Sequence, residues 1–238
     1  MTTALLRCAA TAAIVASWAL AGVAQANPVV IDFELAPPLT VVGPGQSETS
    51  YTEAGVTFTP TGSDALVDIS FCQIGSESCI SNNKNVYLTA LNGAEVTITA
   101  PRAFSLDALD ASFFPLPTPA GLFAGSPMGL HLLGTLWDGG LVETTLSLLE
   151  DPDFLGDFLF QPYGFVSPLF RSLTLGACVF FSADCVRGGV DFDNAGYQFN
   201  DLQFAIDNLS LTIPEPSALW LVALSLGGLA FTRRRSAQ

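Results

Sequence analysis

Between positions 29 and 213 the chain is cut into short β-prone runs by tight-turn residues, and no stretch carries an apolar stripe of helical period. The runs fall at 29–35, 56–59, 66–71, 86–88, 95–99, 104–113, 130–137, 142–148, 165–175 and 204–213. Between them stand Gly43-Pro44-Gly45, Thr61-Gly62-Ser63-Asp64, Asn82-Asn83, Asn92-Gly93 and Asp138-Gly139-Gly140. Many short strands with turn signals between them indicate a sandwich or barrel, so helix is expected to be scarce. Asn92-Gly93 has the residues of a two-residue hairpin turn joining 87–91 to 95–99, and Asp138-Gly139-Gly140 does the same for the strands around it. The stretch 114–127 is rich in Pro and Gly, lacks charge and is expected to be a long loop.

Two apolar segments flank this domain. Near the N-terminus, Arg7 is followed by a small, apolar stretch that ends in Ala24-Gln25-Ala26. That is the build of a signal peptide, residues 1–26, with cleavage expected between Ala26 and Asn27. At the other end, Pro214-Glu215-Pro216 precedes fifteen uncharged residues, 217–231, and then Arg233, Arg234 and Arg235. A bilayer core asks for about 20 apolar helical residues, so this run is short. The arginines placed directly after it, with Trp220 near its other end, favour a single short transmembrane helix over about 217–232. The expected organisation is therefore a signal peptide (1–26), a β ectodomain (27–213) and a C-terminal segment (214–238).

The order Pro-Glu-Pro, short apolar helix and arginine cluster at the extreme C-terminus resembles the PEP-CTERM sorting signal of exopolysaccharide-producing Gram-negative bacteria. The resemblance implies export, anchoring in the inner membrane and recognition by an exosortase-type membrane protease, with Pro214, Glu215, Pro216 and Arg233, Arg234, Arg235 as the sorting residues. After processing the protein would reside in the cell envelope or outside the cell.

Setting aside Arg7, Glu215 and the three tail arginines from 8 basic and 22 acidic residues leaves Lys84, Arg102, Arg171 and Arg187 against 21 acids, a formal −17. So acidic a domain excludes nucleic acid as a partner. Cys72, Cys79, Cys178 and Cys185 remain after signal removal, each pair separated by six residues. An even count in an oxidising compartment reads as disulfides. Of three connectivities, Cys72–Cys79 with Cys178–Cys185 closes the shortest loops. Zinc competes for the same residues but lacks its usual knuckle spacing.

The ends of the domain carry a second resemblance. Ile31-Asp32-Phe33-Glu34, Tyr51 and Gly55-Val56-Thr57-Phe58 open it, and Phe204-Ala205-Ile206-Asp207-Asn208-Leu209-Ser210-Leu211 closes it. These resemble the jelly-roll β-sandwiches of many secreted bacterial proteins, carbohydrate-binding modules included. The resemblance implies a first and a last strand side by side, with a structural calcium between them. Glu34 and Asp207 are then the candidate ligands and Asp32 a weaker one; a solvated turn at Asp207-Asn208 is the alternative.

No catalytic motif stands out. His131, the one histidine, reads as a solvent-facing strand residue, and no G-x-S-x-G elbow accompanies it. Acids are plentiful, with Glu143, Glu150, Asp151, Asp153, Asp157, Asp191 and Asp193 among them, so a chance carboxylate pair is unspecific. Trp137 ends a strand at a tight turn, where it either caps the core or offers a ring face to a sugar. The expectation is an exported, non-enzymatic envelope or matrix protein. Its alternatives are a polysaccharide-binding module of the same fold and a glycoside hydrolase using a carboxylate pair.

Overall fold

A computed structural model describes residues 28–37, 40–67, 86–113, 128–148, 159–181, 184–187 and 202–214. By its contacts the chain divides into Pro28–Thr212 and a second unit formed by Met1–Asn27 and Ile213–Gln238. Among the described residues there are thirteen strands, all paired antiparallel, and no helix long and apolar enough to cross a membrane. The strands are β1 (Pro28–Ile31), β2 (Thr40–Val42), β3 (Tyr51–Glu53), β4 (Val56–Thr61), β5 (Ala65–Val67), β6 (Leu88–Ala90) and β7 (Glu95–Phe113). They continue as β8 (Met128–Leu136), β9 (Leu141–Ser147), β10 (Gln161–Gly164), β11 (Phe170–Phe181), β12 (Asp184–Val186) and β13 (Phe204–Thr212).

The nineteen-residue strand β7 organises the domain. Its first part pairs with β4 and β11, and its second part pairs with β13 and β10. Two sheets share it. One runs β2–β5–β6–β13–β7, with β1 beside the C-terminal half of β13 and β10 on the far side of β7. The other runs β3–β4–β7–β11–β8–β9, with β12 against the end of β11. The sheets pack face to face as a sandwich. Phe33, which follows β1, meets Tyr51 of β3 and Phe58 of β4 at ring-centroid distances of 6.0 and 5.2 Å. Alternation selects the buried side chains: Val56, Phe58, Val96, Ile98, Leu130, Leu132, Leu173 and Leu175 point inward, with polar neighbours between most of them.

Two sequence expectations change here. Residues 95–99 and 104–113 are one strand, because the residues between them bend the chain from one sheet into the other without ending it. Asn92-Gly93 does form a turn, with φ of 50° and 74° and a hydrogen bond from Ala94 N to Leu91 O of 2.8 Å. Its flanking strands do not pair with each other, however. β6 pairs with β5 and β13, and β7 turns away to β4 and β11. The turn crosses between sheets. Asp138-Gly139-Gly140 does make the expected hairpin, joining β8 to β9 with Gly139 at φ 89°. The first and last strands lie side by side, β1 on β13.

Candidate functional site

Trp137 stands at the tip of the β8–β9 hairpin with 61% of its surface exposed. It does not cap the core. Its backbone N–H donates to Leu169 O at 3.4 Å, which ties the tip to the chain entering β11. One face of the indole is engaged by Arg171, whose guanidinium carbon lies 5.4 Å from the ring centroid, and Nη2 of Arg171 donates to Trp137 O at 3.2 Å. Arg171 reaches this place because the ladder slips between Phe170 and Ser172 on both sides of β11. A bulge leaves its residue outside the pairing and re-aims the side chain.

Below the tip lies a groove of 210 Å³ on the open flank of the sandwich. Its lining includes Leu132, Gly134, Val142 and Thr144 from β8 and β9, Phe170 at the start of β11, and the segment from Phe165 to Pro168. The flank is pinned where the Tyr163 hydroxyl donates to Ser147 O at 2.5 Å, and burial raises the Tyr163 phenol above its ordinary pKa. Gly134 is needed at the floor, since a Cβ there would sit 2.3 Å from Cε1 of Phe170. Five of the seven large apolar side chains exposed among the described residues, Trp137, Leu141, Val142, Val166 and Leu169, gather around this tip and groove. A cluster of this kind marks an interaction surface, whereas scattered exposed apolar residues do not.

The outer face of this sheet, opposite to the groove, is hydroxyl-rich. Cross-strand register aligns Thr52, Thr57, Thr99, Ser172 and Thr135 in one row and Thr59, Thr97 and Thr174 in the next. Thr97 and Thr174 hydroxyls are 3.0 Å apart.

Of the expected metal residues, Asp32 and Glu34 follow the end of β1 and Asp207 lies within β13 at its register break, and all three are engaged by protein. Glu34 Oε1 accepts from Val86 N at 3.2 Å, and Asp32 Oδ1 accepts from Glu34 N at 3.3 Å. Asp207 is 1% exposed and lies opposite Asp110, while Asn208 donates its backbone N–H to Asp207 Oδ1 and its amide to Asp110 Oδ2. Among the described residues no three His, Cys, Asp or Glu side chains are grouped to hold a metal ion. His131 lies on the outer face, with Nε2 2.8 Å from Glu143 Oε1. Cys178 and Cys185 form the expected local disulfide, with Cα atoms 5.5 Å apart.

Cys72, Cys79, Ala24, Ala26, Asn27, Glu215, Pro216, Arg233, Arg234 and Arg235 lie outside the described residues, as do Glu150, Asp151, Asp153, Asp157, Asp191 and Asp193. Sequence reasoning did not find Arg171 or the groove. Arg171 carries no motif, and its place depends on a register slip between strands far apart in sequence.

No family model and no curated protein sequence matches the chain. Among solved structures it is similar to CBM32-3 from a family 31 glycoside hydrolase of Clostridium perfringens, at 11% identity over 77% of this chain and 94% of that one, with a TM-score of 0.33. It is also similar to the CBM22-1 xylan-binding domain from Paenibacillus barcinonensis Xyn10C, at 8% identity over 79% and 94%, with a TM-score of 0.32. Likeness at these levels carries no conclusion about this chain.

Proposed function

We propose that the chain is an exported, non-enzymatic polysaccharide-binding protein built on a jelly-roll-like sandwich. One observation carries this: Trp137 is open to solvent at a hairpin tip, steadied by Arg171 and bordered by an apolar groove and rows of hydroxyls. A sugar ring has an apolar face for an indole and peripheral hydroxyls for threonine and serine, and an amphipathic aromatic suits both demands. Among the described residues the carboxylates favour no hydrolase reading. Asp207 is sealed from any substrate, and Glu143 is engaged by His131.

Delivery rests on the terminal segments. The signal peptide ends at Ala26, the apolar helix holds the protein in the inner membrane, and an exosortase-type protease reads Pro214-Glu215-Pro216 before release to the envelope or matrix. Glu215→Ala then leaves export intact and traps full-length protein in the membrane fraction. Binding itself is tested by retention of the exported protein on matrix polysaccharide. Trp137→Ala abolishes retention without lowering the melting temperature, and equal retention of the variant refutes the proposal.

A further inference from the structure

The strand registers bring four separate pieces of chain to one end of the sandwich, the corner where β7 passes from one sheet into the other. Leu136 at the end of β8 lies opposite Phe170, and Phe170 lies opposite Phe104 of β7; Trp137 follows Leu136. One residue further along β7, Ser105 lies opposite Thr212, the last residue of β13, and Thr212 opposite Pro28 of β1. The segment 165–169 runs along the other flank of β7 here. Phe165 N–H donates to Asp107 O at 2.8 Å, and Leu106 N–H donates to Ser167 Oγ at 2.7 Å. Only β7 separates that segment from the end of β13, a backbone width of about 10 Å at ~4.8 Å per strand.

This end is apolar and poor in charge. Trp137, Leu141, Val142, Val166 and Leu169 are exposed around it, Val166 fully so. Residues 164–170 carry no charge in a domain with 21 acids. On the hairpin, Asp138 Oδ1 accepts from Gly140 N and Glu143 Oε1 meets His131 Nε2, so both acids are engaged locally. An exposed apolar patch of this kind marks contact with a protein or with a membrane. The chain beyond the domain decides between them. Residues 213–216 alone lie between Thr212 and the uncharged run 217–231. Five chain steps span at most about 18 Å. If that run enters a bilayer, the end of β13 is tethered within this distance of the lipid, and the apolar end of the sandwich with it.

We infer that this end, formed by Trp137, Leu141, Val166 and Leu169, is seated in the headgroup layer of the membrane while the tail is uncut. An indole with an apolar body and a polar N–H belongs at that level. The Arg171 guanidinium against its face matches a lipid phosphate. The formal −17 of the ectodomain selects a zwitterionic surface over an anionic one. The inference rests on the membrane reading of the tail and goes beyond polysaccharide binding. Lipid and polysaccharide use the Trp137 face in succession, the second after the tail is cut.

The test is reconstitution of the exported full chain, carrying Trp220→Phe, into phosphatidylcholine vesicles with and without bromine on the acyl chains. Trp18 leaves with the signal peptide, so Trp137 is then the sole tryptophan. Bromine lowers its emission, because interfacial apolar side chains reach about 5–10 Å into the headgroup and acyl boundary. Val166→Asp, at a fully exposed position, leaves the chain in the vesicles and loses the quenching. A bimane on Val166→Cys with Trp220 in place gives a second reading, a blue shift in vesicles. Vesicle-bound chain with Trp137 unquenched and the bimane unshifted overturns the inference and leaves the anchor in place. Iodide then tells an indole free in water from one covered by protein, a second copy included. Quenching that survives Val166→Asp overturns the inference as well. Full chain that does not float with the vesicles refutes the membrane reading of the tail, and the inference falls with it.

Discussion

Replacing Gly134 by alanine tests how tightly the groove floor is packed. In an ordinary strand position the exchange stabilises, because glycine there costs about 0.5–1 kcal/mol relative to alanine. At Gly134 the sign reverses. An added Cβ would lie 2.3 Å from Cε1 and 2.6 Å from Cδ1 of Phe170, closer than carbon atoms approach. The ring cannot simply move away, since it is buried and packs edge-on against Phe104 at 6.1 Å. Overpacking of this kind costs about 1–3 kcal/mol. For a domain of this size each kcal/mol moves the midpoint by about 2–4 °C, so melting falls by about 2–12 °C.

The assay is thermal unfolding of Gly134→Ala, Phe170→Leu and the double variant. Leucine at 170 vacates the space that the new methyl needs, so alanine at 134 becomes nearly neutral in that background. The resulting coupling lies within the range of about 0.5–3 kcal/mol seen for residues in contact. If Gly134→Ala melts at or above the parent, or loses as much in the Phe170→Leu background as alone, the packing assigned to the floor is wrong.

Breaking the Cys178–Cys185 bridge, with alanine at both positions, removes a loop closed over a separation of 7 residues. That costs about 2.5 kcal/mol by chain entropy, read as a lower melting point with faster amide exchange in β12, and an unchanged melting point would refute it. The Tyr51 phenol is pushed well above its ordinary pKa by burial and by its hydrogen bond to Glu53. Its contribution to stability is therefore complete below about pH 10, where the unfolded phenol is still protonated, and declines as alkalinity rises further. Tyr51→Phe removes that alkaline decline and costs about 1–3 kcal/mol at neutral pH by leaving the Glu53 carboxylate, 7% exposed, without its donor; matching stability profiles for parent and variant would contradict this. We propose that calcium binds at Glu34 and Asp207, adding about 2.7 kcal/mol at a hundredfold excess over Kd. A melting point indifferent to calcium and to chelator removes that site.

Local features were readable in the sequence where the physics is local. Asp138-Gly139-Gly140 reverses the chain because Gly139 takes a positive φ, and the β8 and β9 residues beside it meet through that turn alone. Cys178 and Cys185 are held within bonding reach by adjacent antiparallel strands, a short-range matter as well. Asn92-Gly93 shows the limit. The dipeptide fixes the turn, but pairing of the flanks depends on what else offers an edge. β13, more than a hundred residues later, takes β6, while β4 and β11 take β7.

The candidate site was hidden for the same reason, carried one step further. Trp137 was visible as a residue at a strand end, yet its exposure depends on how β8 meets β11. Had the β11 register continued unbroken past Ser172, Arg171 would have taken a paired position in the ladder, and strict alternation would have aimed it away from the Ser172 face. The slip between Phe170 and Ser172 takes up that one residue. It keeps Phe170 and Leu173 both lining the groove and leaves Arg171 outside the ladder against the indole. Opposite the same slip, β7 uses residues 100–103 to bend from one sheet into the other, which brings Arg102 to this level. Deleting Arg171 tests the slip directly, because it removes the one extra residue and makes the β11–β8 ladder regular with Phe170 still facing inward opposite Leu136. The deletion should therefore melt close to Arg171→Gln, while the indole of Trp137 loses its guanidinium partner in both. A deletion that loses a further ~1.5–3 kcal/mol, the cost of exposing a buried phenylalanine, would mean that Phe170 has turned out of the core and that Arg171 is not the residue the slip absorbs.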